Sequence, residues 1–288
     1  MAVESGLLRE EISGLDALDI PEVPRQPAAR RAWRWSWPKL AAVGIVVAGW
    51  QLVVLSGWRE DYVLPGPGPV AQELARELGT ADFYRALGTT SVRALSGYAV
   101  AVLIGGVVGA LVARSRVLRG AVGSLITGLQ TMPSIAWFPL AILLFQLSET
   151  AIIFVVVLGA APSIANGLIS GVDNVPPLLL RSGRTLGATG LQLYRHVILP
   201  AALPSFLSGL KQGWAFAWRS LMAGELLVVI ANRPSIGVRL QFARELSDAP
   251  ALIASMIVIL VIGIFVDSLF GLAERSVRQR RGLVEVTN

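Results

Sequence analysis

Residues 176–204 read PPLLLRSGRTLGATGLQLYRHVILPAALP. The stretch is basic and rich in turn formers, yet long apolar blocks flank it on both sides. Leu178, Leu179, Leu180 and Leu186 give a short helix an apolar side, and Arg181 and Arg184 give it a basic one. Gly187 stands where a helix commonly ends on a residue with positive φ. Gly190 loosens the turn, residues 191–199 restart a helical pattern, and Pro200 and Pro204 punctuate the return to an apolar block. The residues leave two readings open: a docking element for a partner, or an interfacial helix that only anchors two spans.

The flanks decide the solvent. Of 288 residues, 54% are hydrophobic and 15% charged, and the mean hydropathy is +0.63. A soluble domain carries more charge than that. Apolar blocks recur at 40–55, 94–112, 121–145, 151–169, 203–230 and 251–272. Each approaches the ~20 residues needed to cross a bilayer. Backbone groups in lipid must be satisfied within the segment, so the blocks are expected to be helices. The expected fold class is therefore an all-α, polytopic membrane protein with six transmembrane helices. Met132-Pro133 should break the third block, and Gly105, Gly106 and Gly109 should let a neighbour approach the second. Asp248 and Pro250 read as cap and first turn of the last helix.

Charge gives the orientation. Basic residues cluster at Arg30, Arg31, Arg34 and Lys39, at Arg114, Arg116 and Arg119, at Arg181, Arg184 and Arg195, and at Arg275, Arg278, Arg280 and Arg281. The connection between the third and fourth blocks carries only Glu149. By the positive-inside rule the four basic regions face the cytosol, so both termini are cytosolic and the number of spans is even. The net charge of +6 is then topology, and no nucleic-acid partner is expected. Residues 1–38 are expected to be a cytosolic tail, partly disordered or an amphipathic helix around Leu8, Ile12 and Leu15, with Pro21, Pro24 and Pro27 as an extended linker. Residues 39–275 form the transmembrane domain, with 176–200 as its main loop, and 276–288 a second cytosolic tail. The first 20 residues are acidic and mixed, unlike a cleavable leader.

Enzyme chemistry finds no purchase. There is no cysteine and a single histidine, His196, which is not a metal site by itself. No Gly-x-x-x-x-Gly-Lys-Ser/Thr run is present to cradle a nucleotide phosphate. No metal and no cofactor in this chain are expected.

The loop resembles the EAA loop of ABC-importer permeases. Gly187 takes the place of that motif's glycine, Val197 that of its Ile, and Leu199-Pro200 complete it; Arg181, Ser182 and Gly183 stand where Glu-Ala-Ala would be. The words SVRALSGYAVAVLIGGVVGALVARS (91–115) and TMPSIAWFPLAILLFQLSE (131–149), and the proline run at 64–69 followed by a short helix at 70–78, resemble the aliphatic-sulfonate, taurine and nitrate permeases. The resemblance covers about residues 60–275 and implies the type I ABC importer permease fold. It implies that Arg181, Ser182, Gly183, Gly187, Leu199 and Pro200 couple to an ATPase through a coupling helix. The implied partners are two ATP-binding cassette subunits, a second permease copy in a homodimer, and an extracytoplasmic substrate-binding protein, in the inner membrane of a prokaryote. ATP and Mg would be bound by the ATPase subunits, and the cargo would be a small oxyanion such as a sulfonate, taurine or nitrate. An ion-coupled secondary carrier, a channel or a membrane scaffold would share the spans but leave the Gly187/Leu199-Pro200 loop unexplained.

Polar residues inside the blocks mark a candidate path, because lipid penalises them unless they face a partner or a pathway. In the fifth block Lys211, Trp218 and Glu225 recur every seven residues and share a face, while Gln212, Phe216 and Arg219 share a neighbouring one. Arg219 has two readings: an ion pair with Glu225 or Glu149, or a cation facing the path that attracts an oxyanion. Gln130, Ser134 and Asn166 lie near Pro133 and Pro162, where kinked helices line cavities or bond to one another. Asp267 is expected to be interfacial.

Overall fold

The computed structural model describes residues 28–280. It divides into two units, one ending at Ser56 and one beginning at Gly57. The first is a single helix, α1 (Ala28–Leu55). It begins inside the segment assigned above to the tail. Leu40, Ile45, Val46 and Leu52 are exposed along it, which suits a lipid environment. Leu8, Ile12, Leu15 and the first proline run, with the amphipathic helix and linker expected there, lie outside the described residues, as do residues 281–288.

The second unit runs α2 (Pro67–Leu78), α3 (Ala81–Arg114), α4 (Arg116–Thr131), a 3-10 turn (Ser134–Trp137) and α5 (Phe138–Phe145). Then come α6 (Glu149–Asp173), α7 (Pro177–Thr185), α8 (Gly190–Leu193) and a π-helical stretch (Tyr194–Ile198). The long α9 (Leu199–Leu227), the short α10 (Ile236–Glu245) and α11 (Ala249–Arg280) complete it. No strand occurs among the described residues. Local chemistry starts these helices where side chains offer an acceptor. Thr80, Ser115, Ser148 and Ser235 accept from Phe83, Leu118, Ala151 and Val238 backbone N–H groups. Asp248 accepts from Ala251 N at 3.1 Å, as its cap role requires.

α6 is the hub, packed between α3 and α9 with backbones in near contact. A Cβ added at Gly105 of α3 would fall 2.6 Å from Ala161 O, and one at Gly109 2.9 Å from Ala165 O. On the other flank a Cβ at Gly167 would fall 2.5 Å from Gly209 Cα, and one at Gly171 2.7 Å from Ala202 O. Glycine lets helices meet at this distance and gain dispersion contact, which is the main attraction left where lipid is as apolar as leucine. Gly106 takes no part, since nothing lies within 4 Å of its added Cβ. Phe138, Ile152, Val155, Ile164, Trp214 and Leu221 fill the core between these elements.

Among the described residues four helical segments are long and apolar enough to cross a membrane: Ser36–Leu55, Ala81–Arg114, Glu149–Asp173 and Ala249–Val277. The third apolar block does not run straight; Val117–Thr131 and Ser134–Phe145 meet at 102°. Counted as one broken span it makes five. The helix of the expected fifth block, α9, is 29 residues long but falls outside that count. Lys211, Gln212, Arg219 and Glu225 lower its apolarity, and its polar side chains must find partners within the protein. How they do so separates structural from functional residues.

Candidate functional site

The 176–200 loop folds as a helix, a stop and a restart. α7 ends in a paired stop: Gly187 N donates to Arg184 O at 3.0 Å, and Ala188 N to Gly183 O at 2.9 Å. This double bond pattern requires a left-handed residue after the helix, and Gly187 has φ +85°. Gly190 also has positive φ, +51°. Gly183 is buried where a side chain would strike Val197 Cγ2 at 2.9 Å and Leu193 Cδ1 at 3.0 Å. Val175, Leu193 and Ile198, with Leu180 and Val197 against them, make a small apolar core beneath the loop. The four leucines of the expected apolar side therefore divide. Leu180 turns inward, whereas Leu178, Leu179 and Leu186 are exposed, Leu186 by 87%. Arg181, Ser182 and Arg184 lie exposed beside them. Leu199 is 48% exposed, and Pro200 enters the first turn of α9. The π-helical stretch lets α8 run into α9 with no intervening loop.

The loop is tied to both helices it joins. Asn174 and Val175 close the end of α6 with backbone bonds to Ser170 and Val172. Arg119 of α4 pairs with Asp173 at that same end and donates to Ala113 O at 2.8 Å.

At the 102° break, a cleft of about 350 Å³ opens between α4, α6 and α9. Gln130, Ser134 and Arg219 all line it. Asn166 stands behind, donating to Gln130 Oε1 at 3.4 Å, while Gln130 Nε2 donates to Ser163 Oγ at 3.0 Å. Arg219 Nε donates to Ala215 O at 3.1 Å, and its guanidinium lies 4.8 Å over the Phe216 ring. Arg219 as a residue is exposed. Arg219 also lines a second groove of about 570 Å³ between α9 and α11, with Trp214 and Trp218. Trp218 is buried there and stacks on Trp214 at 6.1 Å.

Lys211 and Glu225 are not brought to the cleft, despite sharing a helical face with Trp218. Lys211 pairs with Asp267 of α11 at 3.2 Å, so Asp267 is a helix-to-helix partner and not merely an interfacial group. Glu225 is fully buried in a knot that composition and spacing did not reveal. Arg93 of α3 donates twice to Glu149, at 2.7 Å each, and once to Glu225 at 3.0 Å. Thr90 Oγ1 donates to Glu225 at 2.9 Å and accepts from Ile236 N at 3.0 Å. Gly237 N donates to Glu225 Oε2 at 3.0 Å. Two carboxylates against one guanidinium leave an excess negative charge. Glu149 sits in the first turn of α6 and Glu225 at the N-terminus of α10, where each helix dipole contributes roughly half a positive charge. The knot is thus close to neutral, which is how charges survive at such burial. Both carboxylates once available to Arg219 are held by Arg93. A sequence signal existed, an arginine at position 93 facing the small-residue side of a span, but its partners lie 56 and 132 residues away.

Residues 86–279 match the family model described as binding-protein-dependent transport system inner membrane component. A probable ABC transporter permease protein of Brucella melitensis is 30% identical over 240 residues, covering 83% of this chain and 95% of the relative. The putative aliphatic sulfonates transport permease protein of Escherichia coli is 31% identical over 238 residues, covering 83% and 89%. The taurine transport system permease protein of the same organism is 28% identical over 249 residues, covering 82% and 90%. Among solved structures, an inward-facing conformation of the MetNI methionine ABC transporter superposes with a TM-score of 0.55 at 20% identity, over 67% of this chain and 93% of that one.

Proposed function

The chain belongs to the family of binding-protein-dependent transport system inner membrane components, and on that premise we propose that this importer permease carries a small oxyanion of the aliphatic sulfonate or taurine type. It is the membrane subunit of an ATP-driven importer and not an enzyme. Hydrolysis belongs to a separate ATPase, which we infer binds the ATP and Mg. We further infer a homodimer served by two ATPases, with both termini and the 176–200 loop on the cytosolic face. The cargo arrives on a binding protein from the opposite side. A sulfonate cargo is supported by the names of two relatives; nitrate shares the oxyanion chemistry.

One observation carries the coupling assignment: the exposed face of α7, where Leu178, Leu179 and Leu186 stand out of the protein beside Arg181, Ser182 and Arg184. Leucines exposed to this degree on a basic connection outside the spans call for a protein partner. Gly183, Gly187, Leu199 and Pro200 do not touch that partner through long side chains. They shape the loop: Gly183 by close packing, Gly187 by its left-handed φ, Leu199-Pro200 by the entry into α9. A push on α7 reaches α6 and α9 directly. These two helices meet at Gly167 and Gly209 with no side chain between them to yield, so they move as one body. ATP binding shifts the inward/outward equilibrium through contacts at α7 that differ between the two states.

Replacing Leu178 and Leu179 together by Glu is expected to abolish co-purification of the ATPase while the chain stays folded in the membrane. Retention of the ATPase by that variant would place the docking surface elsewhere. An ion-coupled carrier would show uptake without any ATPase.

A further inference from the structure

Along α9 the charges fall into two groups. Lys211 is paired with Asp267, and Glu225 with Arg93. Arg219 has no carboxylate within ion-pair distance among the described residues. At ~1.5 Å per residue it lies ~24 Å along the apolar block that begins at 203, past the middle of a ~30 Å hydrocarbon core. A cation at such depth is costly unless it faces water, a pathway or an anion. Arg219 faces the cleft at the broken span, where the helix α4 ends and the chain turns.

We propose that this cleft is an anion site within the permease itself, taking organic monoanions with a sulfonate-like head and a short apolar tail. The inference rests on the reading of the chain as an importer's permease, and it names the cargo chemistry that the membrane subunit itself selects. The head goes to Arg219. Its Nε is committed to Ala215 O and its face to Phe216, which orients the guanidinium and leaves its two Nη groups as the donors that the residue can bring to the cleft it lines. A planar fork of two donors fits two oxygens of one oxyanion. Ser134 has no hydrogen-bond partner among the described residues and its hydroxyl is available to donate. Gln130 is fixed by Ser163 and Asn166 through one N–H and its carbonyl, which leaves its second N–H for the ligand. The tail goes to Leu129, Ile135 and Ala223, which form the apolar part of the same wall. A volume of about 350 Å³ falls at the small end of the roughly 300–1,000 Å³ typical of ligand sites. Among the described residues no acidic side chain lines it, so the same arrangement disfavours cations.

The test uses the full-length chain in nanodiscs of neutral lipid, titrated with 1-butanesulfonate, methanesulfonate and butyltrimethylammonium by calorimetry. Butanesulfonate is expected to bind tightest, methanesulfonate more weakly for want of a tail, and the cation not at all. Arg219→Gln is expected to weaken butanesulfonate by about tenfold or more, as loss of a charge-assisted contact does, and Arg219→Lys by less. Ser134→Ala keeps the cation and is expected to cost about two- to tenfold, which covers the case in which an Arg219 variant does not fold. Equal binding by the wild type and Arg219→Gln overturns the proposal, as does a wild type that binds no sulfonate. A variant that dissociates into monomers with anion binding unchanged would make Arg219 an interface residue and also overturn it. The importer reading fails separately, if no ATPase subunit co-purifies with the wild-type chain.

Discussion

Arg93 and Arg219 are both arginines within the helical bundle, and they could hardly differ more. Arg93 is 4% exposed and spends its donors on two carboxylates from α6 and α9. Arg219 is exposed, meets only a carbonyl and a ring among the described residues, and lines a cleft. The same side chain is a structural tie in one place and an unmet charge in the other. The difference lies in neighbours contributed by distant parts of the chain. Where protein supplies the counter-charge, the arginine holds helices together; where it does not, the arginine is open to the proposed anion.

The sharpest way to break this comparison is Arg93→Ala. It strands Glu225 without its cation, and a buried charge stripped of its partner typically costs about 3–5 kcal/mol. The folded fraction, followed by size-exclusion and thermal unfolding in detergent, should collapse. A variant that melts like the wild type would mean that the knot contributes nothing. Gly167→Val should come next. Its Cβ would fall 2.5 Å from Gly209 Cα, and overpacking of this kind costs about 1–3 kcal/mol. The loss should appear in the same melting experiment. Thr90→Val removes a hydroxyl that donates to Glu225 and accepts from Ile236 N, which strips Ile236 N of that acceptor and leaves Glu225 one donor short, at a cost of about 1–3 kcal/mol. Gly187→Ala should cost about 1–2 kcal/mol, from forcing a side chain into left-handed backbone. Its fuller effect should be ATPase turnover without matching uptake in proteoliposomes, and normal uptake would break the coupling assignment. Arg219→Gln should change stability least, within about 0.5 kcal/mol, because it touches no buried partner. Its effect should fall on transport alone. If instead its melting drop rivals that of Arg93→Ala, the two arginines are alike after all.

Much of the loop was legible in advance because it is local. Gly187 has the positive φ that a stop requires, and Asp248 caps the last helix. The break at Met132-Pro133 also falls where the proline dictates. The candidate path was legible only in part. Gln130, Ser134 and Arg219 share a cleft, with Asn166 behind, but all three members of the seven-residue repeat lie outside it: Lys211 and Glu225 in ion pairs, Trp218 in the groove between α9 and α11. Helical spacing says which residues share a face and nothing about what that face meets. The expected fifth span meets the same limit, since α9 carries too many polar groups to pass as an apolar span.

By itself the amino-acid order determined where helices start, stop and bend, since caps, glycines and prolines act within a few residues of themselves. It also determined the membrane as solvent, through hydropathy summed along each block. Only the tertiary structure decided which charge is met and which is open. Pairing energy depends on distance in space, and Arg93 finds its carboxylates across 56 and 132 residues of chain that no local pattern records.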